Sequence, residues 1–285
     1  MTHPEVLDAV RRALAEDIGS GDITTNLCVL EHQEASAQMI AREPMVVAGV
    51  ELLPLIMEGA EVTIHAPSGT WVEKDAALAT IQGPARLLLT CERTALNFVQ
   101  RLSAIATLAR AYVNEVSGTK CQILDTRKTT PGLRRLEKMA SAAGGAKNHR
   151  MGLYDAVLIK NNHITAAGGV RAALAATHDA SVPVEIEVRT REELDEALTC
   201  GAKHLLLDNL TPSQASEWIK YINGKATTEL SGGITLESVR AYAEAGADFI
   251  SCGAITHSAR ALDINLRLLV GQVGNLRPIV NRPLV

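Results

Sequence analysis

Basic side chains are concentrated in one stretch of this sequence, from residue 125 to residue 163. The chain as a whole is mildly acidic, with a formal net charge of −4, so the stretch is a local feature. Cations gathered in this way suit carboxylate and phosphate groups, because hydrogen bonds between ionised partners are stronger than those between neutral ones. The stretch therefore predicts a binding site for a small anion. Its basic residues are Arg127, Lys128, Arg134, Arg135, Lys138, Lys147, His149, Arg150 and Lys160.

Acidic residues recur at equal spacing along the second half of the chain. Glu187 lies in the run VEIEV, Asp208 ends HLLLD, and Glu229 lies in TTEL. Because side chains alternate between the two faces of a strand, Glu185 and Glu187 share the face opposite the apolar residues of VEIEV. Carboxylates placed in this way could hold a metal ion or bind the hydroxyls of a sugar.

Two glycine-rich segments follow the last two strand-like runs. ELSGGIT places Ser231, Gly232 and Gly233 directly before a predicted helix capped by Thr235, and SCGAITHS places Gly253 ahead of His257. Backbone N–H groups at such turns bind phosphate, and glycine allows the close approach that this requires. The two segments together predict an anion site.

The hydrophobic pattern divides the chain into two parts of different architecture. Residues 4–18 repeat apolar side chains at helical spacing, and residues 35–90 contain short strand-like runs separated by turns. Residues 86–116 predict one long helix or two consecutive helices. From residue 121, six strand-like runs, with a seventh left open, alternate with helices. No GxGxxG motif opens the first of these units, which favours an open TIM-like β/α barrel over a Rossmann sheet.

In a β/α barrel the apolar face of each strand packs on the helices, so the charged face points inward. Lys160, Glu187 and Asp208 would then meet at the carboxyl-terminal rim, where barrel enzymes carry their active sites. Inward charges must be paired or bound to a ligand to offset their desolvation, and an ion-pair network that only stabilises the barrel is the alternative to a substrate site. The division into early cations and late carboxylates favours a polyanionic substrate beside a metal ion or ribose hydroxyls.

The composition disfavours several other classes of protein. Aromatic residues make up 3% of the chain and the net charge is acidic, which disfavours RNA binding through the basic stretch. The five cysteines have no metal-site spacing and predict free thiols. The first residues lack the apolar core of a signal peptide, and no apolar run is long enough to span a bilayer. We therefore expect a cytoplasmic protein without nucleic-acid or membrane partners.

Seven segments carry a resemblance to one known family. They are ERTALNFVQRLSAIAT, DTRKTTPGLR, KNHRMGLYDAVLIKNNH, VEIEV, LLLDN, ELSGG and FISCGAITHSARALDI, in this order. Over essentially its whole length the sequence resembles the quinolinate phosphoribosyltransferases. The resemblance implies an α/β fold with an N-terminal α/β sandwich and connecting helix (residues 1–116), an open TIM-like barrel (117–270) and a C-terminal segment (271–285) that returns to the first domain. It also implies a homodimer, or a higher assembly of dimers.

The activity that the resemblance implies is transfer of a phosphoribosyl group from phosphoribosyl pyrophosphate to the ring nitrogen of quinolinate. Pyrophosphate and carbon dioxide would be released, the product would be nicotinate mononucleotide on the way to NAD, and Mg²⁺ would be the cofactor. A dicarboxylate and a phosphorylated sugar held in one site would account for the basic stretch.

Carried over position by position, the resemblance assigns residues to the two substrates. Glu187 and Asp208 would contact ribose hydroxyls and Mg²⁺, Lys128 would lie between the substrates, and Arg93 would come from the partner subunit. The implied quinolinate residues are Arg93, Thr126, Arg127, Lys128, His149, Arg150 and Lys160. The implied phosphoribosyl pyrophosphate residues are Lys128, Glu187, Asp208, Ser231, Gly232, Gly233, Gly253, Ala254 and His257.

Three positions depart from the family pattern. Asn161 stands where an acidic residue is usual, and Ala104 and Asp75 stand where glycine is usual or common; none of the three is an implied ligand. His163 is expected to be a structural hydrogen-bonding residue, and Arg134, Arg135 and Lys138 could form a solvated helix face or contact phosphate.

Other functions remain open at the level of sequence. They are a barrel phosphosugar isomerase, a related phosphoribosyltransferase acting on another pyridine acid such as nicotinate, and a nonenzymatic RNA-binding protein. The several cations of the basic stretch favour a dicarboxylate substrate over a monocarboxylate.

Overall fold

The computed structural model describes residues 3–270 and 277–278 of the chain. It separates two compact units, each built from more than one segment. The first contains the residues up to Leu108, Thr130–Gly144 and the residues from Ala259 onward. The second contains Ala109–Thr129 and Gly145–Ser258.

These units differ from the domains expected from sequence, which placed boundaries after residues 116 and 270. The segment 130–144 and the strand 264–270 both belong to the first unit, because each pairs or packs with elements that lie far away in the sequence. The expected C-terminal segment 271–285 lies outside the described residues, apart from 277–278.

Helices and strands are numbered in chain order over the described residues. The helices are α1 (Pro4–Ile18), α2 (Ile23–Cys28), α3 (Leu53–Ile56), α4 (Ala85–Glu115), α5 (Arg134–Ala143), α6 (Asn161–Ala167), α7 (Val170–Ala176), α8 (Arg191–Thr199), α9 (Pro212–Ile222), α10 (Val239–Glu244) and α11 (Ala254–His257). The strands are β1 (Glu34–Ala41), β2 (Met45–Val46), β3 (Glu61–Ile64), β4 (Trp71–Val72), β5 (Ala77–Pro84), β6 (Gln122–Leu124), β7 (Val157–Ile159), β8 (Val184–Val188), β9 (His204–Asp208), β10 (Thr227–Ser231), β11 (Phe249–Ser251), β12 (Ile264–Val270) and β13 (Arg277–Pro278). Over this part of the chain, none of the helices has the length and apolar character that crossing a membrane requires.

The first unit is built on an antiparallel sheet in the order β13-β12-β1-β5-β3. Strand β1 lies at its centre, with Ala37 and Met39 fully buried, and pairs with β12 from Ala35 opposite Val270 to Ala41 opposite Ile264. The pairing joins the two ends of the sequence. It accounts for the inclusion of the residues after 258 in this unit.

The two longest helices of this unit fall where the periodicity predicts them. Helix α1 covers the expected residues 4–18, with Pro4 in its first turn, where the missing N–H costs no helical hydrogen bond. Helix α4 is one continuous helix, which decides between the two alternatives for residues 86–116. Leu88, Ala95 and Val99 are fully buried along one of its faces.

Two departures from sequence expectation concern this unit. Asp75 has φ of +68°, a backbone conformation that favours glycine, which explains why glycine was expected at this position. Its carboxylate forms an ion pair with Arg42 at 2.8 Å. A solvated helix face, one of the two alternatives for Arg134, Arg135 and Lys138, is wrong for Lys138, which is fully buried. Its neighbour Glu137 is also fully buried and pairs with Arg101 Nη2 at 3.0 Å.

The second unit contains a parallel sheet in the order β6-β11-β10-β9-β8-β7, and its six strands are the six predicted from sequence. A single parallel bridge also joins Leu124 of β6 to Lys147, so among the described residues this segment adds one bridged residue and not the seventh strand that the sequence left open. Among the described residues no ladder joins β7 to the segment at Lys147, so the barrel is open there. Parallel strands bring their carboxyl ends to one rim, which positions the side chains described next.

Candidate active site

A cavity of about 500 Å³ opens at the carboxyl ends of the parallel strands. Every residue expected at the substrate site lines this cavity except Arg93, which is exposed on α4 in the first unit. The barrel therefore brings these expected residues together. The lining residues among those expected are Thr126, Arg127, Lys128, His149, Arg150, Lys160, Glu187, Asp208, Ser231, Gly232, Gly233, Gly253, Ala254 and His257.

Two guanidinium groups define the cationic side of the cavity. The pKa of Arg150 is lowered, first by burial and second by the neighbouring charge of Arg127. Arg150 Nη1 donates to the carbonyl oxygen of Ala156 at 3.0 Å, whereas the buried Nε of Arg127 has no hydrogen-bond partner. Two like charges, one with an unsatisfied donor, favour an anionic ligand because its binding would relieve both costs.

Lys128 and Lys160 add cations whose backbones are fixed. Thr256 Oγ1 donates to the carbonyl oxygen of Lys128 at 2.8 Å, and the N–H of Lys160 donates to His163 Nδ1 at 2.9 Å. The structural role expected for His163 is confirmed by this bond. Gly253 leaves room for Lys128, since a Cβ at this glycine would lie 2.9 Å from Lys128 Cδ. The side chains of both lysines remain exposed and can reach a ligand.

His149 is held at the floor of the cavity through both nitrogens of its ring. Nδ1 accepts from the N–H of Arg150 at 2.7 Å, so this nitrogen carries the lone pair. Nε2 lies 3.4 Å from Glu185 Oε2 and 3.6 Å from Glu229 Oε1, and as the protonated nitrogen it faces these carboxylates. The backbone N–H of His149 in turn donates to the fully buried Asp125 at 2.9 Å.

Donor atoms of His149, Glu185 and Glu229 lie close enough together to suit a metal ion. The hydrogen bond at Nδ1 opposes that use. A metal ion on Nε2 would need its lone pair, which would move the ring proton to Nδ1 and set it against the N–H of Arg150. The arrangement instead fits a polar cluster in which the hydrogen bond at Nδ1 orients His149 against the Arg150 backbone and the two carboxylates lie close to Nε2.

Burial makes the carboxyl group of Glu229 an unusually weak acid. It is 4% exposed, and its pKa is raised to about 8, mainly by desolvation and next by the charge of Glu185, while His149 acts in the opposite direction. Glu185 and Glu229 were expected to face inward, but neither was among the residues that the resemblance assigned to a substrate. Asp125 was missed, although it directly follows the first barrel strand.

We expect the stability of the protein to fall between pH 4.5 and pH 8 through Glu229. Its folded pKa lies above the ordinary value of 4.5, so the native state binds the proton more tightly and loses free energy of unfolding as the pH rises through this window. Glu229→Gln, which mimics the protonated form, should flatten this dependence and exceed the wild type above pH 8 by about 1 to 3 kcal/mol. Urea unfolding at pH 6 and pH 8.5 measures the difference. The exposed Glu217→Gln on α9 serves as control, and an unchanged slope in Glu229→Gln would contradict the prediction.

Two carboxylates on neighbouring strands form an acidic part of the cavity. Glu187 on β8 and Asp208 at the end of β9 are both largely buried, and Asp208 Oδ2 accepts from Asn209 Nδ2 at 2.7 Å. A single guanidinium, that of Arg189, contacts both carboxylates. Arg189 was not predicted from the sequence, although it follows Glu187 by two positions, the spacing of residues on one face of a strand.

The glycine-rich turn after β10 packs directly on the residue that follows Asp208. Gly232 has φ of +101°, and a Cβ there would lie 2.2 Å from Asn209 Oδ1. The expected helix after this turn begins later than predicted: Thr235 and Ser238 form a hydrogen-bonded turn, and α10 starts at Val239. The turn nevertheless presents Ser231, Gly232 and Gly233 to the cavity.

Gly232→Ala should destabilise the protein by about 2 to 4 kcal/mol, because the added methyl group collides with Asn209 in a backbone conformation that alanine avoids. Gly233→Ala is the matched variant: it also has a positive φ, of +63°, but a Cβ there meets nothing within 4 Å. Its expected cost is about 1 kcal/mol, from the backbone alone. Equal losses in urea unfolding would show that the contact with Asn209 carries no strain.

Comparison with known proteins gives consistent results. Residues 22–103 match the family profile described as quinolinate phosphoribosyl transferase, N-terminal domain. Residues 105–267 match the profile described as quinolinate phosphoribosyl transferase, C-terminal domain. A probable carboxylating nicotinate-nucleotide pyrophosphorylase of Bacillus subtilis is 39% identical, over 93% of this chain and 94% of its own. The carboxylating nicotinate-nucleotide pyrophosphorylase of Mycobacterium leprae is 43% identical, over 92% and 96%. The crystal structure of nicotinate-nucleotide pyrophosphorylase from Ehrlichia chaffeensis superposes with a TM-score of 0.88 at 36% identity, covering 92% of this chain and 97% of that one.

Proposed function

Because the chain belongs to the quinolinate phosphoribosyltransferase family, we propose that the barrel cavity joins quinolinate to phosphoribosyl pyrophosphate. The reaction releases pyrophosphate and carbon dioxide and gives nicotinate mononucleotide for NAD synthesis. The observation that carries the assignment is the division of one cavity into a cationic side, with Arg127 and Arg150, and an acidic side, with Glu187 and Asp208. A pyridine dicarboxylate and a phosphorylated sugar need these two environments next to each other.

Quinolinate occupies the cationic side in this proposal. Arg127, Arg150 and Lys160 supply positive charge for its two carboxylates, and Thr126 supplies a hydroxyl group at the edge of the same wall. His149 acts mainly through its hydrogen bonds, because its Nδ1 is already bonded to the N–H of Arg150. Lys128 lies between the two substrates.

Phosphoribosyl pyrophosphate occupies the acidic side and the glycine turns. Glu187 and Asp208 bind ribose hydroxyls, and the phosphate groups lie against Ser231, Gly232 and Gly233 and against Gly253 and Ala254, with His257 nearby. The buried Oε1 of Glu187 has no partner in hydrogen-bond geometry, so this side has an unused oxygen ligand of the type that Mg²⁺ prefers. Glu187 and Asp208 would hold Mg²⁺, which when bound neutralises charge on the departing pyrophosphate.

The chain's own residues assist the reaction electrostatically. As the bond between the ribose and pyrophosphate breaks, positive charge develops on the sugar, and the carboxylates of Glu187 and Asp208 stabilise it. Arg127 and Arg150 hold the quinolinate carboxylates so that the ring nitrogen faces the sugar carbon. The positive charge that the ring nitrogen then acquires favours loss of the adjacent carboxylate as carbon dioxide, because it stabilises the electron pair left at that ring carbon, which then takes up a proton from water. No protein nucleophile is needed.

The direct test is incubation of the purified protein with quinolinate, phosphoribosyl pyrophosphate and Mg²⁺. Nicotinate mononucleotide, pyrophosphate and carbon dioxide should form in equal amounts. Omission of each component in turn provides the controls. Turnover with nicotinate at a comparable rate, without carbon dioxide, would favour the related transferase for another pyridine acid.

We also propose a homodimer, or a higher assembly of such dimers, in which Arg93 of one chain completes the partner's site. Arg93 is exposed on α4, belongs to the matching segment ERTALNF and carries a charge suited to a carboxylate.

The five described cysteines are all free, which supports the cytoplasmic location expected from sequence.

Mixed dimers test the contribution of Arg93 to the partner's site. Arg93→Ala and Lys128→Ala homodimers should each be nearly inactive. Subunit exchange would place both defects in one site of each mixed dimer and leave the other site intact, so activity should recover to about a quarter of wild type under two-fold symmetry. Absence of recovery after verified exchange would show that Arg93 serves its own chain.

A further inference from the structure

Arg189 bridges the two carboxylates on the acidic side of the cavity. Its Nη2 lies 2.5 Å from Glu187 Oε1, and its Nε lies 3.4 Å from Asp208 Oδ2. The arginine side chain is 47% exposed, whereas those of Glu187 and Asp208 are 8% and 14% exposed. A solvent-accessible cation thus sits on two largely buried anions that the proposed function assigns to a metal ion.

The backbone from which Arg189 extends is fixed. Its N–H donates to Glu193 Oε2 at 2.8 Å, and Thr190 caps α8 by accepting from the N–H of Glu193 at 3.2 Å. The side chain, in contrast, is held by ion pairs that solvent screens at its exposed end. The guanidinium can therefore leave the carboxylates without disturbing β8 or α8.

The contact between Arg189 and Glu187 is close but poorly aligned. Although the two groups form an ion pair, the buried Oε1 of Glu187 has no partner in hydrogen-bond geometry. Two neighbouring carboxylates out of water repel each other and need a cation. Arg189 supplies that charge without satisfying the oxygen, which a metal ion would coordinate directly.

We propose that Arg189 is an internal counter-ion that occupies the Glu187–Asp208 pair and must move aside before a divalent cation binds. The inference rests on the assignment of this pair to Mg²⁺ in the proposed function. It has two consequences. Arg189 weakens the binding of the free metal ion, and it stabilises the acidic pair when no metal is bound.

The test uses Mn²⁺ in place of Mg²⁺, because both prefer oxygen ligands and free Mn²⁺ can be measured by electron paramagnetic resonance. Titrations are carried out without substrates, on the wild type and on Arg189→Gln. We expect the variant to bind Mn²⁺ about tenfold more tightly, since the metal no longer competes with an ion pair. Its melting temperature should be lower than that of the wild type without metal, and should rise more on addition of Mn²⁺.

Arg191→Gln is the matched control. It removes the same charge two residues away, but Arg191 pairs with Asp195 and stacks on Tyr221, and it does not line the cavity. Its Mn²⁺ affinity should equal that of the wild type. An equal gain in both variants would reduce the effect to net charge and overturn the proposal.

Two further outcomes separate this inference from the metal assignment. Unchanged or weaker Mn²⁺ binding in Arg189→Gln, with binding abolished by Asp208→Asn, would overturn the role of Arg189 and leave the metal site in place. Absence of Mn²⁺ binding in the wild type and in Arg189→Gln would overturn both.

Discussion

Replacing Asp208 by asparagine should lower kcat/KM for phosphoribosyl pyrophosphate by about 10²- to 10³-fold, while quinolinate affinity stays within about threefold of wild type. The substitution keeps the size of the side chain and removes the negative charge that stabilises the sugar as its bond to pyrophosphate breaks. Asp208 lines the cavity at the end of β9, next to β8 with Glu187, whereas Arg127 follows β6 at the other end of the strand order. Its loss therefore affects the phosphoribosyl half of the reaction.

Steady-state kinetics with each substrate varied, together with calorimetric titration of quinolinate, separate the two effects. Asp195→Asn, an acidic residue of α8 that pairs with Arg191 away from the cavity, should retain wild-type kinetics. If Asp208→Asn lost quinolinate affinity but kept its turnover, the assignment of Asp208 to phosphoribosyl pyrophosphate would be wrong.

The wild-type protein should use quinolinate in preference to nicotinate by a factor of about 10⁴ in kcat/KM. Nicotinate lacks the carboxylate next to the ring nitrogen, so at least one cation that lines the cavity would lose its partner. Burial and the neighbouring charge of Arg127 lower the pKa of Arg150, and the buried Nε of Arg127 has no hydrogen-bond partner, so a ligand that lacks one carboxylate leaves these costs in place.

Arg127→Met tests the origin of this preference. The variant should lose about 10²- to 10³-fold in kcat/KM for quinolinate and much less for nicotinate, so the ratio between the substrates should shrink. Competition measurements with both acids in one reaction give that ratio directly. A ratio that survives the substitution would mean that another part of the cavity selects the dicarboxylate.

Local patterns in the sequence were sufficient to predict the helices and strands but not the boundaries of the two compact units. The alternation of VEIEV and HLLLD and the helical spacing of residues 4–18 are properties of neighbouring residues, and these elements lie where they were expected. The pairing of β1 with β12 joins residues more than two hundred positions apart, and no local period reports it. For this reason the boundaries after residues 116 and 270 differ from those of the compact units.

Some features of the candidate site could likewise be predicted from the sequence, and others could not. Residues on the inner face of a strand follow from its period of two, and Lys160, Glu187 and Asp208 do line the cavity. Contacts between side chains of different strands, such as those of His149 with Glu185 and Glu229, depend on register and depth. The ion pairs of Arg189 depend on them too, and the sequence contains neither quantity.

The place of β12 in the first sheet has a consequence for synthesis on the ribosome. Strand β1 is made early, and one of its edges can pair with β5 as soon as β5 has emerged from the ribosome. Its other edge pairs with β12 and has no partner until residues 264–270 leave the exit tunnel. Throughout translation of the barrel, the nascent chain therefore carries an open strand edge of the kind that promotes aggregation. The segments of the barrel, in contrast, are complete once Ser258 has been made, so the catalytic unit can fold before the unit that precedes it in the sequence.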